Sequence, residues 1–139
     1  MRGSGGAAGT IEGMCVAPTP EQLVGLANGL AAEAAGRGDP AFGAVLVSPH
    51  GEVAILESNR ETSTGDPTAH AEIALLRAAA AAGIVGPLRG YAVAVNAKPC
   101  SMCAAALVDA GVQHVTFSGP DGGIDVLDMG SNEGSSPPR

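Results

Sequence analysis

The chain has 139 residues, enough for one domain with its own core. It carries 7 Lys and Arg against 14 Asp and Glu, for a net charge of −7, and the basic residues are scattered from Arg2 to Arg139. A phosphate backbone calls for clustered cations, so this balance speaks against RNA or DNA as a partner. No apolar run approaches the roughly 20 residues of a membrane span, and the N-terminus lacks the apolar stretch of a signal peptide. A cytoplasmic protein is expected.

Residues 1–17 are Gly-rich and aperiodic and are expected to form a flexible leader. Thr19-Pro20-Glu21-Gln22 is a helix start. Thr19 suits the N-cap, Pro20 the first helical position, and Gln22 completes a capping box. Leu23, Leu26, Ala27, Leu30, Ala31 and Ala34 follow at helical spacing until Gly36 and Gly38. Phe42–Val47 and Val53–Leu56, separated by Pro49-His50-Gly51, predict two strands joined by a turn. Residues 58–69 read as a polar loop, and Asp66-Pro67 predicts the start of a second helix that runs to Gly83. Tyr91–Val95 predicts a buried third strand. A third helix is expected from about Cys100 to Gly111, then a fourth strand over His114–Phe117 and a weak fifth over Ile124–Leu127. Residues 130–139 have the composition of a loose tail. Strand–helix–strand order implies right-handed crossovers and parallel neighbours. The expectation is an α/β fold over residues 18–129, a three-layer α/β/α sandwich around a mixed sheet of four to five strands. Phe42, Tyr91 and Phe117 are the only aromatic residues, so the core must rest on Val, Leu, Ile and Ala.

The chemistry concentrates in two segments, His70-Ala71-Glu72 and Pro99-Cys100-Ser101-Met102-Cys103. An odd cysteine count containing a C-x-x-C pair suggests metal binding more than a disulfide framework and leaves Cys15 unpaired. Cys100 and Cys103 share one helix face, in the first turn, where the helix dipole favours thiolates. His70 falls in the first turn of the preceding helix. Two helix N-termini meeting at one sheet edge can bring three ligands around one ion. Three protein ligands leave a tetrahedral Zn2+ with an open position for water, the catalytic rather than the closed structural arrangement. Glu72 lies two residues from His70, about 200° around a regular helix, so spacing alone does not turn both toward the metal. A glutamate beside activated water can act as general base and then as general acid.

With these segments in this order, the chain resembles the zinc-dependent cytidine/deoxycytidylate-type deaminases. It looks most like the branch that holds guanine deaminases, cytosine deaminases and bacterial tRNA-adenosine deaminases. The resemblance runs from about Glu21 to Phe117. It is carried by Phe42-Gly43-Ala44-Val45-Leu46-Val47, Ser58-Asn59-Arg60, Asp66-Pro67-Thr68-Ala69-His70-Ala71-Glu72-Ile73 and Pro99-Cys100-Ser101-Met102-Cys103. It implies a cytidine deaminase-like fold, zinc held by His70, Cys100 and Cys103, and proton shuttling by Glu72. It also implies that Asn59 and the backbone at Ala71 contact the base. Without the resemblance, Asn59 is equally an ordinary turn residue after a strand. In so aromatic-poor a chain, His70 and Phe42 are the faces on which a base can stack. Lys98 departs from the Glu usual in this branch, Ser101 from the common Pro, and Ala74-Leu75 from a frequent Asn-Ala pair.

The expected function is zinc-dependent hydrolytic deamination of a free nucleobase or related amino-heterocycle, of guanine, cytosine or amino-triazine type, with release of ammonia. The expected partner is a small heterocyclic base, without nucleic acid or membrane. A homodimer is expected from the resemblance and from the Ala-rich stretch Ala104–Val108. Two other readings stay open. One is a tRNA adenosine-to-inosine deaminase. The other is a non-catalytic, zinc-stabilised domain in which Cys15 closes the site as a fourth ligand.

Overall fold

The computed structural model describes residues 17–84 and 86–129, together with the backbone of Thr10, Ile11, Met14 and Cys15. Thr10–Ile11 pairs antiparallel with Met14–Cys15, so the described part of the expected leader is a short ladder. The other residues of 1–16, the Cys15 side chain and the expected tail 130–139 lie outside the described residues.

Helix α1 (Pro20–Gly36) begins with the expected capping box. The Gln22 backbone N–H donates to Thr19 Oγ1 at 3.1 Å, and the Thr19 N–H donates to Gln22 Oε1 at 2.9 Å. Two of the first-turn donors that a helix leaves orphaned are thereby satisfied. The helix buries a small-residue face, Val24, Ala27, Ala31 and Ala34, which lets the sheet approach closely. Gly43 marks the closest point. A Cβ there would collide with the Ala27 carbonyl oxygen and stand 2.6 Å from Leu30 Cβ.

Strands β1 (Gly43–Val47), β2 (Val53–Ser58), β3 (Ala92–Val95), β4 (His114–Ser118) and β5 (Ile124–Asp128) form one sheet in the order β2-β1-β3-β4-β5. The pairs β1–β2, β1–β3 and β4–β5 are antiparallel, and β3–β4 is parallel. The expectation of parallel neighbours therefore holds where helix α4 (Ser101–Asp109) connects β3 to β4. It fails between β2 and β3, which run in the same direction with β1 inserted between them. The β1–β2 hairpin leaves the other edge of β1 free, and β3 takes it.

Residues along the central strands alternate between two cores, as a period of two requires. Val45, Val47 and Ala94 pack with Ala27 of α1. Ala44, Leu46, Val93 and Val95 face the other way, with Leu75 of helix α3 (Ala71–Ala81) and Leu107 of α4. The three layers are thus α1, the sheet, and α3 with α4. None of the described helices is long and apolar enough to cross a membrane.

The segment between β2 and α3 departs from expectation. A four-residue helix, α2 (Glu61–Thr64), interrupts the polar loop and ends at Gly65 with φ 71°, a left-handed conformation that favours glycine. Helix α3 begins at Ala71, not at Asp66. Asp66 spends its carboxylate on a local turn instead, Oδ1 accepting from the Thr68 N–H at 2.9 Å and the Thr68 hydroxyl at 2.7 Å. The turn continues as the Ala69 N–H donates to the Asp66 carbonyl at 3.0 Å and the His70 N–H to the Thr68 carbonyl at 2.8 Å, and His70 itself is extended.

Candidate active site

His70 is the N-cap of α3, with φ −64° and ψ 159°. Cys100 is the N-cap of α4, with φ −71° and ψ 172°. Neither side chain caps its helix, although Ser, Thr, Asp or Asn at such a position typically contributes about 1 kcal/mol. Both side chains turn instead toward a common point. His70 Nδ1 lies 3.6 Å from Cys100 Sγ and 3.4 Å from Cys103 Sγ, and the three ligand atoms all lie within 4.8 Å of one another. Zinc at about 2.3 Å from sulfur and about 2.05 Å from nitrogen, in tetrahedral geometry, requires N···S separations of about 3.6 Å. The donor set and its spacing therefore fit zinc. Among the described residues three ligands converge here.

The doubt over Glu72 resolves in the backbone. His70 is extended, so the 200° rotation of a regular helix does not separate it from Glu72, which follows in the first turn of α3. Glu72 is 7% exposed and lines one pocket with His70, Cys100, Asn59 and Phe42. Burial pushes its carboxyl above the ordinary range, opposed by its own backbone N–H, the Cys103 contact and the nearby imidazole. Cys103 Sγ lies beside the Glu72 carboxylate and the Cys100 sulfur. Burial pushes its thiol up, and the Glu72 carboxylate and Cys100 sulfur add to the shift. A divalent cation would supply the missing positive charge.

The pocket has a volume of about 120 Å³, below the roughly 300–1,000 Å³ of a drug-sized site. Asn59 is 1% exposed, and Phe42 is 44% exposed at the mouth. Lys98 joins the lining. Ala71 does not. Its side chain is fully buried in the core beside Leu75, and its N–H, in the first turn of α3, has no acceptor among the described residues.

Two further polar residues of the pocket, Asn96 and Glu61, carry no clear mark in the sequence. Asn96 lines the pocket and ties the start of β1 to it, accepting from the Gly43 N–H at 2.9 Å and donating to the Ala41 carbonyl at 3.1 Å. Glu61 stands between Asn59 and His70, with Oε1 2.6 Å from Asn59 Nδ2 and 3.6 Å from His70 Nε2. The only signal for it was an acid two residues after Asn59. Behind this loop, the buried Asp39 accepts from the Ser63 N–H at 2.8 Å, the Ser63 hydroxyl at 2.9 Å and Arg37 Nε at 2.8 Å. Arg37 in turn donates to Ser58 Oγ and the Asn59 carbonyl, each at 2.8 Å.

Known proteins resemble this chain in fold and in sequence. The structure of guanine deaminase from Bacillus subtilis superposes with a TM-score of 0.68 at 31% identity, over 72% of this chain and 64% of that one. A structure from a study of A-to-I editing by tRNA:A34 deaminases gives a TM-score of 0.67 at 37% identity, over 74% of this chain and 80% of that one. In sequence, the chain is 39% identical over 99 residues to tRNA(Ile)-lysidine synthase of Deinococcus deserti, covering 70% of this chain but 18% of the synthase. It is also 39% identical over 85 residues to tRNA-specific adenosine deaminase of Agrobacterium fabrum, covering 61% of this chain and 55% of that enzyme. Residues 18–119 match the model of the cytidine and deoxycytidylate deaminase zinc-binding region. The chain that gathers His70, Cys100 and Cys103 at two helix starts is therefore a member of the cytidine and deoxycytidylate deaminase family, with that family's zinc-binding region and α/β fold.

Proposed function

We propose that the protein hydrolytically deaminates a free nucleobase or a related amino-heterocycle. The observation that carries this reading is Glu72, a buried carboxylate in a small pocket beside three zinc-type ligands. His70, Cys100 and Cys103 would hold zinc, which when bound makes water nucleophilic near neutral pH. Glu72 takes the proton from the attacking water and gives it to the ring nitrogen next to the reacting carbon. It then takes the remaining proton of the added hydroxyl and delivers it to the departing amine. A C–O bond forms, the exocyclic C–N bond breaks, and the oxo-heterocycle and ammonia leave. Asn59 and the Ala71 N–H orient the ring edge. Phe42 and the His70 imidazole bound its faces.

A second reading, deamination of adenosine in tRNA, is favoured by the identity to the Agrobacterium fabrum enzyme. The surface charge speaks for the free base. Arg37, Arg60 and Arg77 are each paired with a carboxylate, leaving Arg89 and Lys98 as the unpaired cations among the described residues. A phosphate backbone is bound by more than that. We further propose a cytoplasmic homodimer, joined over the groove that Ala105, Val108, Leu127 and Met129 line. The deciding experiment measures kcat/KM for free bases, their ribonucleosides and a tRNA anticodon stem-loop on zinc-loaded protein. The expected order puts at least one free base first. A stem-loop that proves the best substrate replaces this reading with the tRNA one.

A further inference from the structure

We propose that Glu61 is a positioning residue that ties the metal-binding histidine to the base-recognition asparagine. The part concerning Asn59 rests on the function proposed above, and the part concerning His70 stands without it.

Glu61 opens α2 and is 30% exposed at the pocket wall. It grips Asn59 twice. The Glu61 backbone N–H donates to Asn59 Oδ1 at 2.8 Å, and Asn59 Nδ2 donates to Glu61 Oε1 at 2.6 Å. Together these contacts fix which end of the amide is oxygen, because neither works with the amide reversed. They leave Asn59 one N–H and one lone pair for a ring edge. Any residue at 61 keeps the backbone N–H, but without the Glu61 carboxylate the Nδ2 of a buried amide loses its partner.

The same oxygen faces the other side of the metal histidine. His70 turns Nδ1 to the two sulfurs, so a metal there takes Nδ1 and the neutral ring carries its proton on Nε2. Glu61 Oε1 lies 3.6 Å from Nε2 and faces the proton that the neutral ring carries there. A carboxylate at the outer nitrogen of a ligating histidine holds the ring in place and raises its basicity. Losing such a partner typically costs about 10–100-fold in metal affinity or activity. The grip is rigid because α2 is clamped from behind, Asp39 binding Ser63 and Arg37 binding Ser58 and the Asn59 carbonyl.

The test compares Glu61→Ala, Glu61→Gln and the control Glu57→Gln, whose parent carboxylate pairs with Arg60 outside this contact. Zinc affinity is measured on the full chain by competition with a chromophoric chelator. KM and kcat are then measured at saturating zinc on the best free base. Glu61→Ala should bind zinc about 10–100-fold more weakly and raise KM more than it lowers kcat. Glu61→Gln, which keeps an oxygen toward Nε2 but no charge, should fall between Glu61→Ala and wild type in zinc affinity. Glu57→Gln should match wild type. Should Glu61→Ala fail to fold, Glu61→Gln decides. Zinc affinity within twofold of wild type in every folded Glu61 variant overturns the proposal. If wild-type protein turns over no base, the proposed function fails, and the zinc affinities still decide the role of Glu61.

Discussion

Replacing Glu72 with Gln should separate activity from stability. The amide has the shape of the carboxylate, so the packing around a residue only 7% exposed is preserved. What disappears is proton transfer. General acid–base catalysis is worth about 10²–10⁴-fold, or about 2.7–5.4 kcal/mol of barrier at 1.36 kcal/mol per decade. Glu72 is asked to move a proton at successive steps, so the loss in kcat should lie at the upper end, near 10⁴-fold. Stability should move the other way or not at all. Wild-type protein buries an ionisable carboxyl that burial disfavours in its charged form, and Gln buries a neutral group in its place. The assay pairs ammonia release with zinc content and thermal melting on the same samples. Zinc-loaded Glu72→Gln protein should keep one zinc per chain and melt no lower than wild type while losing turnover. Turnover within tenfold of wild type at full zinc would refute the role of Glu72.

Cys100→Ala should lose zinc at sub-micromolar free metal, because one of three converging ligands is gone; metal analysis after dialysis checks this, and full occupancy would remove Cys100 from the site. Asp39 gives a pH signature. Burial alone would raise its pKa, but the bonds from the Ser63 N–H, Arg37 and the Ser63 hydroxyl outweigh it and hold the carboxyl at about 2. The unfolded value is about 3.9, so the depressed folded pKa contributes stability that is present above about pH 4 and lost as pH falls toward 2. Thermal melting from pH 5 to pH 2 should show a steeper fall for wild type than for Asp39→Asn, and parallel curves would refute the assignment. Ala105→Glu, in the groove beside Leu127 and Met129, should shift the mass seen by light scattering from dimer to monomer without changing the melting of the monomer. A monomeric wild type at every concentration would remove the dimer.

The ligand set was legible because each member is a rare residue type in a fixed order. His70, Cys100 and Cys103 converge as their spacing implied. The start of α1 was legible for a local reason, since a capping box involves only neighbours. The start of α3 was misread because Asp66-Pro67 carries the right residues for a helix cap, and nothing local shows that Thr68 takes the Asp66 carboxylate first. Glu61 was invisible for the opposite reason. A glutamate in a polar loop is ordinarily solvated, and only the tertiary fold, which sets Asp39 and Arg37 behind the loop, turns it toward His70. Strand pairing was beyond reach for a similar reason, because the insertion of β1 between β2 and β3 depends on which edge of the hairpin is free.

The most direct test of zinc-dependent deamination is ammonia release followed while zinc is titrated into metal-stripped protein, with purine, pyrimidine and amino-triazine bases and a tRNA stem-loop as substrates. Activity on at least one free base should rise linearly and stop at one zinc per chain. Protein that holds one zinc per chain and releases no ammonia from any of these substrates would contradict the reading of this site as catalytic.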